Sequence, residues 1–258
     1  MSTQQGTNQS VREQFGAVAE AYARSSYHSS GPDLAALVAV AHPNGTEAVL
    51  DMGSGAGHMA LAIGQHVASV IGVDLTPEMV GVATSLAAER GATNVTFRQA
   101  DVVALPFADA AFDIVTSRVS AHHYADPQQA VREAFRVLRP GGRFFLIDTV
   151  APEDPALDTY FNCFELLRDS SHVRNWRGSE WIRMLTGAGF SARMLERFAV
   201  SQDGQDWVNR MKTPPEKVVV LRKLFSEASQ AQRDAFELVD GPPWRLSVPI
   251  ALFEATKP

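Results

Sequence analysis

The segment Val49–Ala60, Val-Leu-Asp-Met-Gly-Ser-Gly-Ala-Gly-His-Met-Ala, narrows the possible folds more than any other stretch of the chain. It reads as the end of a buried strand, a glycine-rich turn and the start of a helix. Glycines stand at 53, 55 and 57. Glycine accepts backbone angles that other residues avoid, and its missing side chain lets a ligand approach the main chain. A strand that runs through such a turn into a helix is a nucleotide-cofactor site in open α/β sheets. A dinucleotide turn needs Gly-x-Gly-x-x-Gly, with the helix N-terminus facing a pyrophosphate. Here His58 occupies the third glycine position, and an acid, Asp51, precedes the turn.

Four more segments follow in order. Ser69–Asp74 is an apolar strand ending in an acid, and Asp74 can accept two hydrogen bonds from a ribose diol. NAD and S-adenosylmethionine both carry that diol, so Asp74 alone does not separate them. Val95–Asp101 is a third strand, with small apolar Val102 and Val103 after its terminal acid. Phe112–Ser117 is a fourth. Leu138–Ile147 carries a Pro140-Gly141-Gly142 helix stop and a fifth strand.

From about residue 47 to 148 this series resembles the class I S-adenosylmethionine-dependent methyltransferases, nearest the small-molecule branch of ubiquinone and menaquinone biosynthesis. The resemblance implies an α/β, Rossmann-like fold. Its seven-stranded, mostly parallel sheet would have the order 3-2-1-4-5-7-6, with helices on both faces and helical lid insertions. It implies S-adenosyl-L-methionine as cofactor, leaving as S-adenosyl-L-homocysteine. The turn residues Asp51, Gly53, Ser54, Gly55 and Gly57 would receive the methionine end. Asp74 and Leu75 would meet the ribose. Met79, Asp101 and Val102 would form the adenine pocket, and Ser117 and Tyr22 would complete the site.

The rest of the chain is read around that core as one domain, residues 1–258. Residues 1–32 form an N-terminal arm or lid, 33–151 the cofactor-binding core, and 152–178 and 201–243 substrate-lid insertions. Residues 1–10 are polar and read as disordered. Val11, Phe15, Val18 and Tyr22 lie on one face of a helix running to Arg24. Tyr22, Tyr27 and His28 are pocket candidates in the arm. Asp33 reads as the cap of the next helix, and Ser179 as the cap of a later one. In the first insertion Arg168, His172, Arg174 and Trp176 are candidates for an anionic or aromatic acceptor. A sixth strand, 192–200, and an antiparallel seventh, 244–255, close the sheet.

The loop after strand four holds two adjacent histidines, of which one is expected to face the pocket and the other to pack. A pocket histidine can take a proton from a substrate hydroxyl, thiol or acidic carbon. His123 is the leading base candidate and His122 the second. Asp148, at the end of strand five, is a further contact candidate. No spacing of acids or cysteines completes a metal site around the histidines. The lone cysteine, Cys163, sits in an apolar helical stretch and is expected to be buried.

Acids outnumber bases by 29 to 23, and no Lys/Arg block supplies a nucleic-acid backbone footprint. The Pro-Pro-aromatic motif of amino-group DNA and RNA methylation is absent after strand four, where Ser117-Arg118-Val119-Ser120 stands. No apolar run reaches membrane-spanning length, and no signal peptide is evident, so a cytoplasmic location is the expectation. The expected partner is a small-molecule acceptor, with no nucleic acid and no membrane. A homodimer through the 201–243 insertion is possible. The competing readings are a protein that binds S-adenosylmethionine without methylating, an RNA or protein methyltransferase, and an NAD(P)-dependent oxidoreductase. His58 and Asp101 argue against the last.

Overall fold

Adjacent residues of each central strand enter different layers of the protein, because side chains alternate across a sheet. Val49, Ile114, Phe145 and Ile147 belong to one buried cluster. Their chain neighbours Leu50, Val115, Phe144 and Leu146 belong to the other. A strand apolar on both faces must be covered on both, which is the pattern of a parallel sheet between helices. The computed structural model describes residues 3–23 and 31–258.

The strands are β1 (Ala48–Met52), β2 (Ser69–Asp74), β3 (Val95–Gln99), β4 (Phe112–Arg118), β5 (Leu138–Ala151), β6 (Trp176–Arg177), β7 (Ser191–Asp203) and β8 (Arg245–Thr256). The main path runs β3-β2-β1-β4-β5-β8-β7. β1 to β5 pair in parallel. β8 runs antiparallel to both β5 and β7. With the short β6 set aside, this is the expected 3-2-1-4-5-7-6 order. β6 was not foreseen; its two residues extend β5 at Val150 and Ala151.

The helices are α1 (Thr3–Ala23), α2 (Pro32–Ala41), α3 (His58–Gly64), α4 (Pro77–Glu89), α5 (Pro127–Val137), α6 (Pro155–Arg168), α7 (Gly178–Gly187), α8 (Gly204–Arg210), α9 (Pro215–Ser226) and α10 (Gln230–Phe236). Helices α5 and α7 cover one face through Val131, Ala134, Trp181 and Leu185. On the other face α2 and α3 pack beside α6. There Phe164 contacts the rings of Trp207, Phe225 and Phe236 at centroid distances of 5.9, 5.4 and 5.4 Å. The 201–243 segment therefore contributes aromatic core as well as surface.

Several expectations are corrected. The polar start of the chain is helical from Thr3, and Asn8 Nδ2 donates to Asp101 Oδ2 at 2.7 Å. Gly31, not Asp33, caps α2, and Arg177, not Ser179, caps α7. The Asp33 carboxylate is instead fully buried against Arg118. Cys163 is exposed. Tyr160, Phe161 and Phe164 take the inward face of α6, which turns position 163 outward.

α1 lies across the carboxyl edge of the sheet. Gly16 lets it approach Glu78 of α4. Gln14 Nε2 donates to the Met211 carbonyl at 2.8 Å, and Lys212 Nζ donates to that of Ala17 at 2.7 Å.

Candidate active site

β1 pairs with β2 on one side and β4 on the other, so the connections leave in opposite directions and a cleft opens at the strands' carboxyl ends. The glycine turn lines it. Gly53 is left-handed (φ +65°), and a Cβ there would stand 2.5 Å from Ser120 Oγ and 2.9 Å from the Tyr124 hydroxyl. Gly55 (φ +52°) has nothing within 4 Å of an added Cβ, so bare backbone faces the cleft. Ser117 and Tyr124 support the turn from behind. Their hydroxyls are 2.9 Å apart, and Tyr124 donates to the Met52 carbonyl at 3.0 Å.

Three acids define the cleft. Asp51 accepts from Ser54 Oγ at 2.8 Å and Thr116 Oγ1 at 2.7 Å. Burial pushes its carboxyl up to about 6, against the pull of those two donors and of Arg118. Asp74 accepts the backbone N–H of Gly55 through Oδ2 at 2.8 Å and that of Thr76 through Oδ1 at 2.9 Å. Burial raises its pKa too, opposed by those N–H groups. Asp101 accepts the N–H of Val103 at 3.1 Å as well as Asn8.

Tyr22, Leu75, Met79 and Val102 complete the expected lining, within a cleft of about 960 Å³ that includes its open mouth. Gly57 does not line it. It caps α3 in a left-handed conformation, and a Cβ there would strike Phe97 of β3 at 2.6 Å. Ser117 is fully buried and also off the surface of the cleft.

These residues suit S-adenosylmethionine. The buried carboxylate of Asp51 lies where a cation would stabilise its charge. Asp74 uses two of its roughly four lone-pair sites on backbone, leaving acceptor capacity for a diol. Nothing at the start of α3 is arranged for a pyrophosphate. His58 closes that end, 6% exposed, its Nε2 bonded to the Tyr22 carbonyl at 3.2 Å. Burial holds this imidazole below its usual pKa, so it supplies no positive charge there.

A second cavity, of about 570 Å³, shares Phe15, Tyr22, Val119 and His123 with the first. Val119 takes a left-handed φ of +51°, rare for a β-branched residue, at the wall between them. Its N–H donates to the Ile147 carbonyl at 2.8 Å. His122 and Arg168 line the second cavity with Thr149, Glu165, Trp207 and Arg210.

The two histidines differ. His122 Nδ1 lies 2.6 Å from Asp148 Oδ1, and Asp148 is fully buried. Burial, the largest influence on His122, disfavours its charged form. The charge and hydrogen bond of Asp148, with Glu165 and Asp169 beyond, outweigh it and raise the pKa. His123 Nδ1 donates to the Ser171 carbonyl at 3.1 Å, and Nε2 lies 3.7 Å from Asp169. Burial and then the charge of His122 push His123 down to about 4.

The expected acceptor residues separate. Arg168 reaches the second cavity, stacked 4.8 Å from the Trp207 ring. His172, Arg174 and Trp176 line neither cavity. His172 is buried, with Nε2 3.1 Å from Asn162 Oδ1, and burial drives its pKa down. Arg174 bonds Asp158 at 2.8 Å and stacks over Trp176. Asp158 also binds Arg177, so the pair belongs to a structural ion network. Tyr27 and His28 lie outside the described residues.

Sequence reasoning missed Arg118, which lines the cofactor cleft and bonds Asp33 through Nε at 2.6 Å and Nη2 at 3.1 Å. An arginine at the carboxyl end of a strand whose other residues carry no basic group was the available signal. It also missed Ser120, Tyr124 and the second cavity's Glu165, Trp207 and Arg210. No group of three or more His, Cys, Asp or Glu among the described residues is arranged to hold a metal. None of the described helices is long and apolar enough to cross a membrane.

Residues 50–146 match the family described as a methyltransferase domain. An uncharacterised methyltransferase of Bacillus subtilis, YcgJ, is 41% identical over 222 residues, covering 86% of this chain and 88% of its own. The chain belongs to the class I S-adenosylmethionine-dependent methyltransferases.

Membership in these methyltransferases carries to the fold. The crystal structure of YcgJ superposes with a TM-score of 0.84 at 39% identity, over 87% of this chain and 97% of that one. A putative methyltransferase from Bacillus halodurans gives 0.85 at 36% identity, over 88% and 100%. A demethylmenaquinone methyltransferase of Thermus thermophilus is 36% identical over 118 residues, 45% of this chain and 53% of its own. This methyltransferase binds S-adenosylmethionine.

Proposed function

We propose that this enzyme methylates a small molecule held in the second cavity. The observation that carries the reading is the shared wall of Phe15, Tyr22, Val119 and His123, beyond which a second cavity adjoins the cofactor cleft. A macromolecular acceptor needs an open approach to the methyl. Here α1 walls both cavities through Phe15 and Tyr22 and is tied to Met211 and Lys212.

S-adenosylmethionine supplies a methyl already activated by a positive sulfur. The protein's part is to hold the acceptor in line with it and exclude water, a positioning effect. Asp51, Ser54 and Gly55 bind the methionine end, with Gly53 keeping the turn against Ser120 and Tyr124. Asp74 and Leu75 hold the ribose, and Met79, Asp101 and Val102 the adenine. Tyr22 and Phe15 of the arm seal the junction. The 152–178 and 201–243 insertions frame the acceptor side through Arg168 and Trp207. The net charge of −6 and the missing basic block support a non-nucleic-acid acceptor.

The test is mass spectrometry after incubation with methyl-labelled S-adenosylmethionine. A small-metabolite extract, total tRNA and a protein lysate are compared. A labelled product in the small-molecule fraction alone is expected. Label confined to RNA or protein overturns the reading.

A further inference from the structure

At and behind the shared wall, three histidines crowd together with three carboxylates, Asp148, Glu165 and Asp169. His122 and His123 stack with ring centroids 4.2 Å apart, and His172 lies 5.8 Å from His122. Only one of the three has both a carboxylate partner in short contact and a face on the second cavity. That is His122, whose side chain keeps 12% exposure while Asp148 has none.

Asp148 is aimed from β5 as a fixed acceptor. Its Oδ1 receives the N–H of Thr149 at 2.9 Å as well as His122 Nδ1. A carboxylate acceptor places the imidazole proton on Nδ1, which leaves the Nε2 lone pair as the basic position. Among the described residues Nε2 has no hydrogen-bond partner in the protein. His123 and His172 have no such arrangement. His123 donates through Nδ1 to a carbonyl, and His172 is engaged with Asn162.

We propose that the second cavity takes an acceptor bearing an acidic hydroxyl on an sp2 carbon, a phenol or an enol, and that His122 Nε2 removes its proton. This rests on the small-molecule methyltransferase reading above. The proton passes to Nε2, and the freed oxygen lone pair forms the new bond to the methyl carbon. The old carbon–sulfur bond breaks with its electron pair remaining on sulfur. Asp148 stabilises the imidazolium and is a positioning residue.

The acceptor class follows from the base and the walls. An imidazole can share the proton of an aliphatic alcohol only in concert with bond formation, whereas a phenol or enol, a far stronger acid, can pass its proton to Nε2 before the methyl moves, and that acceptor matches the base best. A neutral amine attacks with its own lone pair and needs no prior deprotonation. The walls suit a flat ring: Phe15, Val119, Val248 and Ile250 are apolar, and Trp207 carries the Arg168 guanidinium over its face.

The groups that set the charge state of His122 come from each element around it. Asp148 lies on β5, and His123 follows in the same turn. Glu165 and Arg168 face it from α6, and Asp169 and His172 from the loop beyond. Arg210 of α8 shares the cavity.

The probe is 4-nitrophenol, bound to the full-length protein saturated with S-adenosylhomocysteine and read by phenolate absorbance. In the wild type the bound probe should show a phenolate-to-phenol ratio about tenfold above that of free probe at the same pH, one pKa unit. His122→Asn should abolish the enrichment with S-adenosylhomocysteine affinity retained. Asp148→Asn should reduce it and lower the pH at which His122 protonates in imidazole 15N spectra. The wild-type 15N spectrum is a second reading should His122→Asn fail to fold, since Nε2 must gain a proton when the probe binds. Absence of enrichment, or of Nε2 protonation, in wild-type protein that binds S-adenosylhomocysteine overturns the proposal. Loss of S-adenosylhomocysteine binding by the wild type itself instead overturns the methyltransferase reading on which it rests.

Discussion

Asp51→Asn should make the ligand-free protein more stable and the cofactor bind more weakly. Asp51 is 1% exposed, and burial lifts its carboxyl from 3.8 to about 6. A raised folded-state pKa means that the folded protein holds the proton more tightly than the unfolded chain. Stability from this group is therefore present at low pH and lost as pH rises from the unfolded value through the folded one. The shift corresponds to about 3 kcal/mol against the folded state once Asp51 is ionised in both states. Asparagine keeps the shape and has no charge to bury. Ser54 and Thr116 can reorient their hydroxyls to match its amide. In urea melts without cofactor, the variant should exceed the wild type by up to about 3 kcal/mol at pH 8, about half that at pH 5, and little at pH 4. Cofactor binding runs the other way, because a ligand ammonium favours the carboxylate. Wild-type affinity for S-adenosylmethionine should fall about tenfold from pH 7 to pH 5, following the ionised fraction of a group near 6, and the variant should lack that component. A variant less stable than the wild type at pH 8, or a stability gap independent of pH, would refute the reasoning.

Three further outcomes are expected. Asp74→Ala removes the acceptor for the Gly55 and Thr76 N–H groups as well as the ribose contact, so calorimetry should show at least a tenfold loss of S-adenosylhomocysteine affinity, about 1.4 kcal/mol. Gly53→Ala forces a Cβ into Ser120 and Tyr124 at a left-handed φ, and should cost about 1–3 kcal/mol in chemical melts with cofactor affinity reduced. Phe164→Ala opens a void among five aromatic rings on the α6 face, and should cost about 3–5 kcal/mol while S-adenosylhomocysteine affinity at low temperature stays near wild type.

The cofactor half of the molecule was legible because its residues sit where the backbone puts them. Asp51, Asp74 and Asp101 each stand near the carboxyl end of a strand, and parallel pairing brings those ends to one edge. The Gly53 and Gly55 positions need no partner to be recognised. Gly57 stands off the cleft lining because its bare Cα packs against Phe97, 40 residues away, a partner that the turn itself does not announce. The polar start of α1 carried too little apolar pattern to read as a helix, and its Asn8 anchor is 93 residues distant in sequence. Arg174 and Trp176 looked like a ligand wall because an arginine beside an aromatic suits an acceptor. Asp158 claims the arginine, and no periodicity announces that.

The acceptor half resists reading for a stronger reason. Its lining comes from α1, the turn after β4, β5, α6, the end of β7, α8 and β8, and its chemistry lies in pairings rather than in motifs. His122 and His123 are neighbours with the same intrinsic pKa, and the fold drives them apart by setting His122 in short contact with the Asp148 carboxylate while burial and the charge of His122 push His123 down. Such separation of like groups is how sites assign acid and base roles. It has a cost in stability. Asp51, Asp74 and Glu165 are all held where burial opposes their charge. A chain selected for stability alone would replace them with neutral residues, so their concentration around two adjoining cavities marks the region where charge is kept for binding and chemistry. By this measure Glu165, His122 and Asp148 support the proposed acceptor role of the second cavity.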